Sequence, residues 1–171
     1  MGLVLLCVAS LAGGLVVRRG VHADEGKNKK IYSTWKGLET DKCVSAWVIR
    51  RFVDEHAQFK FFPKGTLIQE GIPFDTPTAE LRRDSRQATF GKVLAKYNLT
   101  DAVLRDMDRI IWDIEGNKWE KKATQEAQGV NAVVQGLILS IPDENQCIEK
   151  TDIVFDGLYA YLKALRQAPQ K

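Results

Sequence analysis

The stretch TDKCVSAWVIRRFVD, residues 40–54, decides the fold of this 171-residue chain, because its apolar side chains recur with the period of a buried helix. At about 100° per residue, they fall on one wide arc of that helix: Val44, Ala46, Val48, Ile49, Phe52 and Val53. Thr40 is the expected N-cap, since its hydroxyl can accept a hydrogen bond from a free N–H of the first turn. The pattern therefore predicts a helix of about 14 residues around which the rest of the chain packs.

The first turn of this helix breaks the apolar pattern. Asp41, Lys42 and Ser45 fall inside the apolar arc, so they direct a carboxylate, an ammonium and a hydroxyl group toward the interior. A helix N-terminus carries partial positive charge and free N–H donors, which favour a nearby anion. Two interpretations follow: Asp41 complements the helix dipole while Lys42 extends into solvent, or the polar groups belong to a functional site.

Asp41-Lys42 followed by SAWVIRRFVD, residues 45–54, resembles the D-R-x-x-x-A-W-L-I-R-R-F-I-D signature of the ChrB-type chromate-resistance proteins, in their C-terminal domain. Shorter pieces agree in order along the chain: Trp35, Pro73-Phe74-Asp75, Glu80, Thr89-Phe90, Asp113 and Asp156-Gly157-Leu158-Tyr159. The resemblance extends from Ile31 to Leu162 and implies a chromate-linked domain with a sensor or resistance function. In relatives that act as regulators, the DNA-binding part is a separate N-terminal domain. This chain has an apolar leader in that place and no basic recognition stretch, so we expect no transcriptional role.

The chain departs from that family pattern where the family has histidines. Those histidines fall on Arg83 and Trp112, a family cysteine falls on Ala88, the glutamate after Thr-Phe falls on Gly91, and an aspartate falls on Glu115. If the histidines bind metal or carry protons in relatives, this chain has lost them. Since a guanidinium cannot ligate a cation, Arg83 in place of a histidine favours anion binding over metal binding.

The N-terminal region has the form of a secretory signal peptide. Residues 2–17 are an apolar run, and Val21-His22-Ala23 provides a cleavage site of the small-x-small type. No basic residue precedes the run and Arg18-Arg19 follows it, so a misassigned start codon or an uncleaved anchor is an alternative. The predicted organisation is a signal peptide at 1–23, a disordered leader at 24–30, a single domain at 31–166 and a tail at 167–171. We expect a periplasmic or secreted protein.

The balance of charge limits the partners of the chain. It has 25 basic and 22 acidic residues, and loss of Arg18 and Arg19 with the signal peptide would leave 23 against 22, a net charge of +1. A protein so close to neutrality lacks the long-range field that attracts nucleic acid or anionic lipid. We therefore expect neither nucleic acid nor, after signal cleavage, a membrane as partner, and the oligomeric state stays open.

Cysteine and histidine are scarce, which limits metal and redox chemistry. Only Cys43 and Cys147 follow the signal peptide, and they either pair across a long loop or stay as buried thiols. The histidines are His22 and His56, so neither a histidine-based metal cluster nor a Ser-His-Asp arrangement can form. The chain also lacks a glycine-rich phosphate-binding motif. We expect no bound metal and no cofactor, although an oxygen-only cation site of carboxylates is an open alternative.

The remaining periodicities predict an α+β domain that is mostly helical. A strand at 31–35, the helix at 40–54 and a strand at 59–62 make a short β-α-β unit with parallel strands and a right-handed crossover. Residues 64–89 are expected as a loop, because glycine and proline interrupt them. A packed set of helices follows, with apolar stripes within 90–97, 103–114, 127–141 and 151–165, and with Thr100 as the N-cap of the second of them.

The function predicted first is an exported chromate-resistance-type domain that binds an oxyanion or a small acidic ligand. The site is expected where the first turn of the helix meets the 73–86 loop and the 113–115 helix end. The candidate ligand-binding residues are Asp41, Lys42, Ser45, Arg50, Arg51, Asp75, Glu80, Arg83, Trp112, Asp113 and Glu115. A guanidinium can hold an oxyanion with two parallel hydrogen bonds. The alternative for the two helix arginines is pairing inside the protein, with Asp75, Glu80 or Asp113.

Two further functions are left open by the sequence. The first is an acid/base or metal-dependent enzyme that uses the Asp/Glu cluster, with unknown catalytic residues. The second is a protein-interaction module that contacts its partner through exposed Trp112 and Trp119.

Overall fold

The computed structural model describes residues 29–117 and 121–168. The predicted signal peptide and most of the predicted leader lie outside these residues. The elements in chain order are β1 (Ile31–Trp35), α1 (Thr40–Val48), β2 (Gln58–Phe62), β3 (Ile72–Pro73), α2 (Thr89–Lys96), α3 (Ala102–Glu115), α4 (Glu126–Ser140) and α5 (Glu144–Gln167). A π-helical segment, Ile49–Val53, continues α1. This order confirms the mostly helical α+β fold.

The sheet contains the predicted β-α-β unit and one strand that the sequence did not reveal. β1 pairs in parallel with β2, in a register that runs from Ile31 opposite Gln58 to Trp35 opposite Phe62. β3 pairs in parallel with the other side of β1, so the strand order is β2-β1-β3. Pro73 made this segment look like loop, but a proline is tolerated here because β3 is an edge strand.

Helix α1 is buried along its whole length and contacts each of the other four helices. Trp47, the expected core anchor, is 1% exposed and confirms that the helix is packed as predicted. The prediction that Thr40 caps the helix is wrong. Glu39 precedes the helix in extended conformation, and the Thr40 hydroxyl instead donates to Oδ1 of Asn131 on α4, at 2.7 Å.

The four later helices lie where the apolar stripes predicted them, with two differences at their ends. Asp101, not Thr100, caps α3, because the Asp101 carboxylate accepts hydrogen bonds from the N–H groups of Val103 and Leu104. Helix α5 begins at Glu144, since Asp143 caps it, and includes Gln167 of the predicted tail. In the part of the chain that the structure describes, no helix is both long enough and apolar enough to cross a membrane.

Cys43 on α1 and Cys147 on α5 are buried free thiols. Of the two alternatives left open by the sequence, the structure therefore has buried thiols and not a disulfide. Burial raises the pKa of the Cys43 thiol to about 12. A thiol that holds its proton this firmly is a poor nucleophile and metal ligand, so Cys43 serves as a small core side chain.

Candidate functional site

A cleft of about 500 Å³ lies at the carboxyl ends of the three parallel strands. Its walls are residues 35–38 after β1, Lys64 after β2, residues 75–77 after β3, and the start of α1. The chain leaves β1 toward β2 on one side and returns to form β3 on the other side. Loops that diverge in this way open a crevice at the end of the central strand, which is where open parallel sheets bind ligands.

Lys42 is held inside this cleft and does not extend into solvent. Its ammonium donates to the backbone carbonyls of Trp35 at 2.9 Å and Gly37 at 2.7 Å, and it is 4% exposed. The Asp75 carboxylate lies 3.6 Å away. Since an ammonium has three donors, one is left for Asp75 or for a ligand. The first interpretation of Lys42, as a solvent-exposed side chain, is therefore wrong.

Asp75 and Thr76 follow β3 and bring two unsatisfied polar groups to the cleft wall. Asp75 Oδ1 accepts a hydrogen bond from the Thr89 hydroxyl at 2.7 Å. Its Oδ2 and the Thr76 hydroxyl are buried, and neither accepts a hydrogen bond from a described donor, although a protonated Asp75 can donate one to the Glu39 carboxylate. Burial, and then the negative charge of Glu39, raise the pKa of Asp75. Buried polar groups are normally paired, so these two are candidates for contact with a ligand.

Arg83 joins two elements at the edge of the cleft. Its guanidinium donates to the carboxylate of Glu39 at 2.6 Å and to that of Glu115 at 2.5 Å. Burial opposes ionisation of Glu39, but the hydrogen bond and charge of Arg83 outweigh it and lower the pKa of Glu39. Arg83 thus fixes the start of α1 against the end of α3.

Asp41 lies beneath the cleft and does not line it. Its fully buried carboxylate accepts hydrogen bonds from the N–H groups of Thr89 at 2.7 Å and Phe90 at 2.8 Å, at the N-terminus of α2. Burial, together with the charge of Asp75, raises the pKa of Asp41 to about 7. Asp41 therefore positions the helix that carries Thr89, the partner of Asp75.

The two helix arginines lie at the other end of α1, outside the cleft lining. Arg50 forms an ion pair with Asp152 at 2.8 Å, and Arg51 forms one with Asp156 at 2.7 Å. Both carboxylates belong to α5. Pairing inside the protein is thus what the structure has, although with partners other than the predicted Asp75, Glu80 and Asp113.

The other candidate residues also lie outside the cleft lining. Glu80 is exposed and pairs with Lys96, while Ser45 is buried in α1 with a hydroxyl that has no partner among the described residues. Asp113 accepts hydrogen bonds from Thr124 and Asn117. Although burial opposes this, these bonds hold the pKa of Asp113 far below its usual range.

Trp112 does not form an exposed contact surface. It is half-buried and packs against the core of the domain. Trp119, the other tryptophan named for an interaction surface, lies outside the described residues.

The sequence did not single out several of the residues that line the cleft: Lys36, Glu39, Lys64 and Thr76. Lys36 and Lys64 follow the carboxyl ends of two predicted parallel strands, and the rule that ligands bind there could have identified them. Thr76 could not have been found in that way, because β3 carries no strand signal. It follows a proline-containing segment with no apolar alternation.

The cleft lining is predominantly cationic. Five lining side chains are basic and two, Glu39 and Asp75, are acidic. The acidic Glu39 is paired with Arg83, and Asp75 has a raised pKa. No group of His, Cys, Asp and Glu side chains within the described residues is arranged to hold a metal ion. The arrangement is suited to a small anion that accepts hydrogen bonds.

Comparison with known proteins identifies sequences that are similar to this chain. Residues 32–162 match the family model described as "ChrB, C-terminal domain". The chain is also 26% identical over 159 residues to Protein ChrB of Cupriavidus metallidurans, an alignment that covers 90% of this chain and 46% of that protein. The chain thus spans about half the length of this curated relative. No solved structure matches the chain.

Proposed function

Because the chain belongs to the ChrB C-terminal domain family, we propose that it acts in chromate resistance by binding an oxyanion or a small acidic ligand in the cleft. One observation carries this proposal. Lys42, with a third donor free, and Thr76, with an unpaired hydroxyl, both line one cationic cleft at the carboxyl ends of the strands. A tetrahedral oxyanion is a compact set of acceptors that such donors can satisfy.

Arg82 and Lys64 supply the remaining positive charge from the cleft rim. Both are exposed, so they can move toward a ligand without the loss of a buried contact. One guanidinium nitrogen of Arg82 donates a hydrogen bond to the Ala79 carbonyl. The other N–H groups of the guanidinium remain available to bind an oxyanion. The buried donors would then give shape selectivity, and the rim residues would increase the rate of anion capture.

We expect loss of a cleft cation to weaken anion binding and loss of an equivalent distant cation to leave it unchanged. Lys64→Ala and Lys163→Ala form a matched pair, since both lysines are exposed and only Lys64 lines the cleft. Thr76→Val removes the unpaired hydroxyl with little change of volume. The measurement is the affinity for chromate by calorimetry at low salt. We expect Lys64→Ala and Thr76→Val each to weaken binding by about tenfold, the equivalent of one good hydrogen bond.

The same series contains the outcome that contradicts the proposal. Equal affinities in the wild type and in both cleft variants, or no binding by the wild type, would exclude the cleft as an oxyanion site. Arg50→Ala is a further control, because Arg50 lies in the ion pairs with α5.

An acid/base enzyme is a second candidate function, favoured by the raised pKa of Asp75 beside Lys42. A carboxyl group whose pKa is raised can act as a general acid toward a bound anion. Recovery of the ligand after prolonged incubation separates the two functions. A chemically unchanged ligand supports binding alone, and conversion that Asp75→Asn abolishes supports the enzyme.

We further propose that the protein is exported and acts in the periplasm or outside the cell. The support is the sequence pattern of residues 1–23, an apolar run with a small-x-small site after it. N-terminal sequencing of the chain isolated from cells is the check. A mature start near Asp24 is expected, and an intact Met1 in the soluble cytosolic fraction would contradict export.

A further inference from the structure

Asp75 Oδ2 is the most unusual polar atom of the cleft. The Asp75 side chain is 3% exposed, and its Oδ1 is already occupied by the Thr89 hydroxyl. Oδ2 lies 3.6 Å from Lys42 Nζ, too far for a hydrogen bond, and it accepts none from a described donor; only a protonated Asp75 can form one, with the Glu39 carboxylate. Leaving a buried carboxyl oxygen without a partner is costly, so a ligand that supplies one gains affinity.

The backbone holds this oxygen in place. Asp75 has φ of 50°, in the left-handed region that side chains other than glycine seldom adopt. Its N–H donates to the Leu81 carbonyl at 2.7 Å, and the preceding N–H of Phe74 donates to Ser33 of β1 at 2.9 Å. These two bonds fix the backbone at Asp75, and the Thr89 hydroxyl, which donates to Oδ1, restrains the orientation of the carboxyl group.

The charged groups around Asp75 come from three directions. Asp75 faces Glu39, which precedes α1, and Asp41 and Lys42 of the first turn of α1. It also faces Arg83 of its own loop and Glu115 at the end of α3. Burial and the charge of Glu39 raise the pKa of Asp75, and Lys42 and Arg83 only partly offset this. The group therefore accepts a proton more readily than an ordinary aspartate does, and a dianion beside it would favour protonation further.

We propose that the cleft binds its oxyanion together with one proton, which lies between Asp75 Oδ2 and an oxygen of the anion. This inference rests on the proposed function and names the ligand class. An oxyanion that carries its own O–H, such as hydrogen phosphate, hydrogen arsenate or hydrogen chromate, donates that proton to the Asp75 carboxylate. A fully ionised oxyanion such as sulfate has only acceptors, so it binds when Asp75 has taken a proton from solvent and donates it.

Hydrogen phosphate and sulfate are a matched pair of probes. At about pH 8 both are tetrahedral dianions, and they differ by one proton. We expect hydrogen phosphate to bind at least tenfold more tightly than sulfate there. Calorimetry in two buffers of different ionisation heat should show uptake of about one proton per sulfate bound, and sulfate affinity should fall about tenfold for each further pH unit.

Asp75→Asn tests the assignment to this side chain. The Asn oxygen can still accept the Thr89 hydrogen bond, while its amide is a permanent donor toward the anion. Sulfate binding should then lose its proton uptake and its preference for low pH, and the preference for hydrogen phosphate should disappear. Glu80→Gln, a carboxylate-to-amide change outside the cleft, should leave both anions unaffected.

The wild type alone can overturn the inference, whether or not Asp75→Asn folds. Equal affinity for the two dianions with no proton uptake would refute it and leave the proposed function standing. The same is true if Glu80→Gln abolishes the discrimination. No binding of either anion at any pH would instead refute the proposed function itself.

Discussion

Asp41 connects three helices through a single residue. It lies in the first turn of α1, its carboxylate holds the first N–H groups of α2, and its own N–H interacts with Glu115 at the end of α3. This explains why a carboxylate falls in the apolar arc of a buried helix. The arc faces the N-terminus of another helix, whose free N–H groups need an acceptor.

Because the pKa of Asp41 is raised, we expect the protein to become more stable as the pH falls from about 7 to about 4. Asp41 has a pKa of about 7 in the native state, against an ordinary value of 3.8. The native state thus binds the proton more tightly than the unfolded chain does. The stabilisation that results from this difference is complete below about pH 4 and is lost as the pH rises through 7. Three pKa units correspond to about 4 kcal/mol, which is an upper limit.

Denaturant unfolding between about pH 4.5 and 8 measures this effect. The free energy of unfolding should fall across the window, and the advantage of the wild type over Asp41→Asn should shrink as the pH rises. An advantage that stays constant or grows would show that Asp41 does not hold the proton. Asp113, whose pKa is lowered, acts only at a more acidic pH and leaves this window unaffected.

At the scale of elements, α1 and its π-helical extension are the centre of the core. Trp47 donates from its indole Nε1 to Asp156 at 2.8 Å, and its ring contacts Phe52, Phe155 and Tyr159. The same Asp156 pairs with Arg51. The wider π-helical turn therefore joins the C-terminal end of α1 to α5 by ring packing and by ion pairs together.

Trp47→Ala should lower the free energy of unfolding by about 3–5 kcal/mol, the usual loss for a buried aromatic residue. The change also leaves one oxygen of Asp156 without its indole donor. Chemical denaturation gives the value, with Tyr161→Ala as control, since Tyr161 is a 51% exposed aromatic residue on α5. The control should change stability by less than about 0.5 kcal/mol. A Trp47 variant as stable as the control would show that α1 is not anchored there.

The elements that could be predicted are those with a regular apolar period. Strands β1 and β2 and helices α1 to α4 have such periods, and their bounds were close to those observed. Strand β3 has two residues, one of them a proline, so no alternation can reveal it. The first turns of α5 are largely polar, so the apolar stripe within 151–165 predicts a later start than the observed Glu144.

The site was predictable only on one of its sides. The helical wheel showed that Asp41 and Lys42 point inward, because that follows from local geometry. The groups that surround Asp41 and Lys42 include the loop residues Asp75 and Arg83. Asp75 is placed by its own positive φ, and Arg83 is placed by ion pairs with Glu39 and Glu115. Those contacts have no periodic signature. The arginines of α1 matched the family signature equally well, yet they pair with α5.

At the scale of the whole molecule, the parallel sheet of β1, β2 and β3 and the helices α1 to α5 of the described residues leave one end of the central strand open. Helix α1 starts at that end, so a buried lysine, a loop carboxyl group and a hydroxyl group converge where the strands finish. At the other end of the helix, Arg50 and Arg51 pair with carboxylates of α5 and also line a second cleft of about 600 Å³. The two ends of this helix thus differ in one respect: the cations of the first cleft include a lysine with a free donor, whereas Arg50 and Arg51 are already paired with carboxylates.

The most direct test of the binding claim is a crystal structure of the protein with arsenate. Hydrogen arsenate carries a proton, and arsenic can be located by its anomalous scattering. We predict one arsenic site in the cleft, with arsenate oxygens within hydrogen-bond distance of Lys42 Nζ, Thr76 Oγ1 and Asp75 Oδ2. Arsenic bound at Arg50 and Arg51 instead, or an empty cleft at saturating arsenate, would contradict the account.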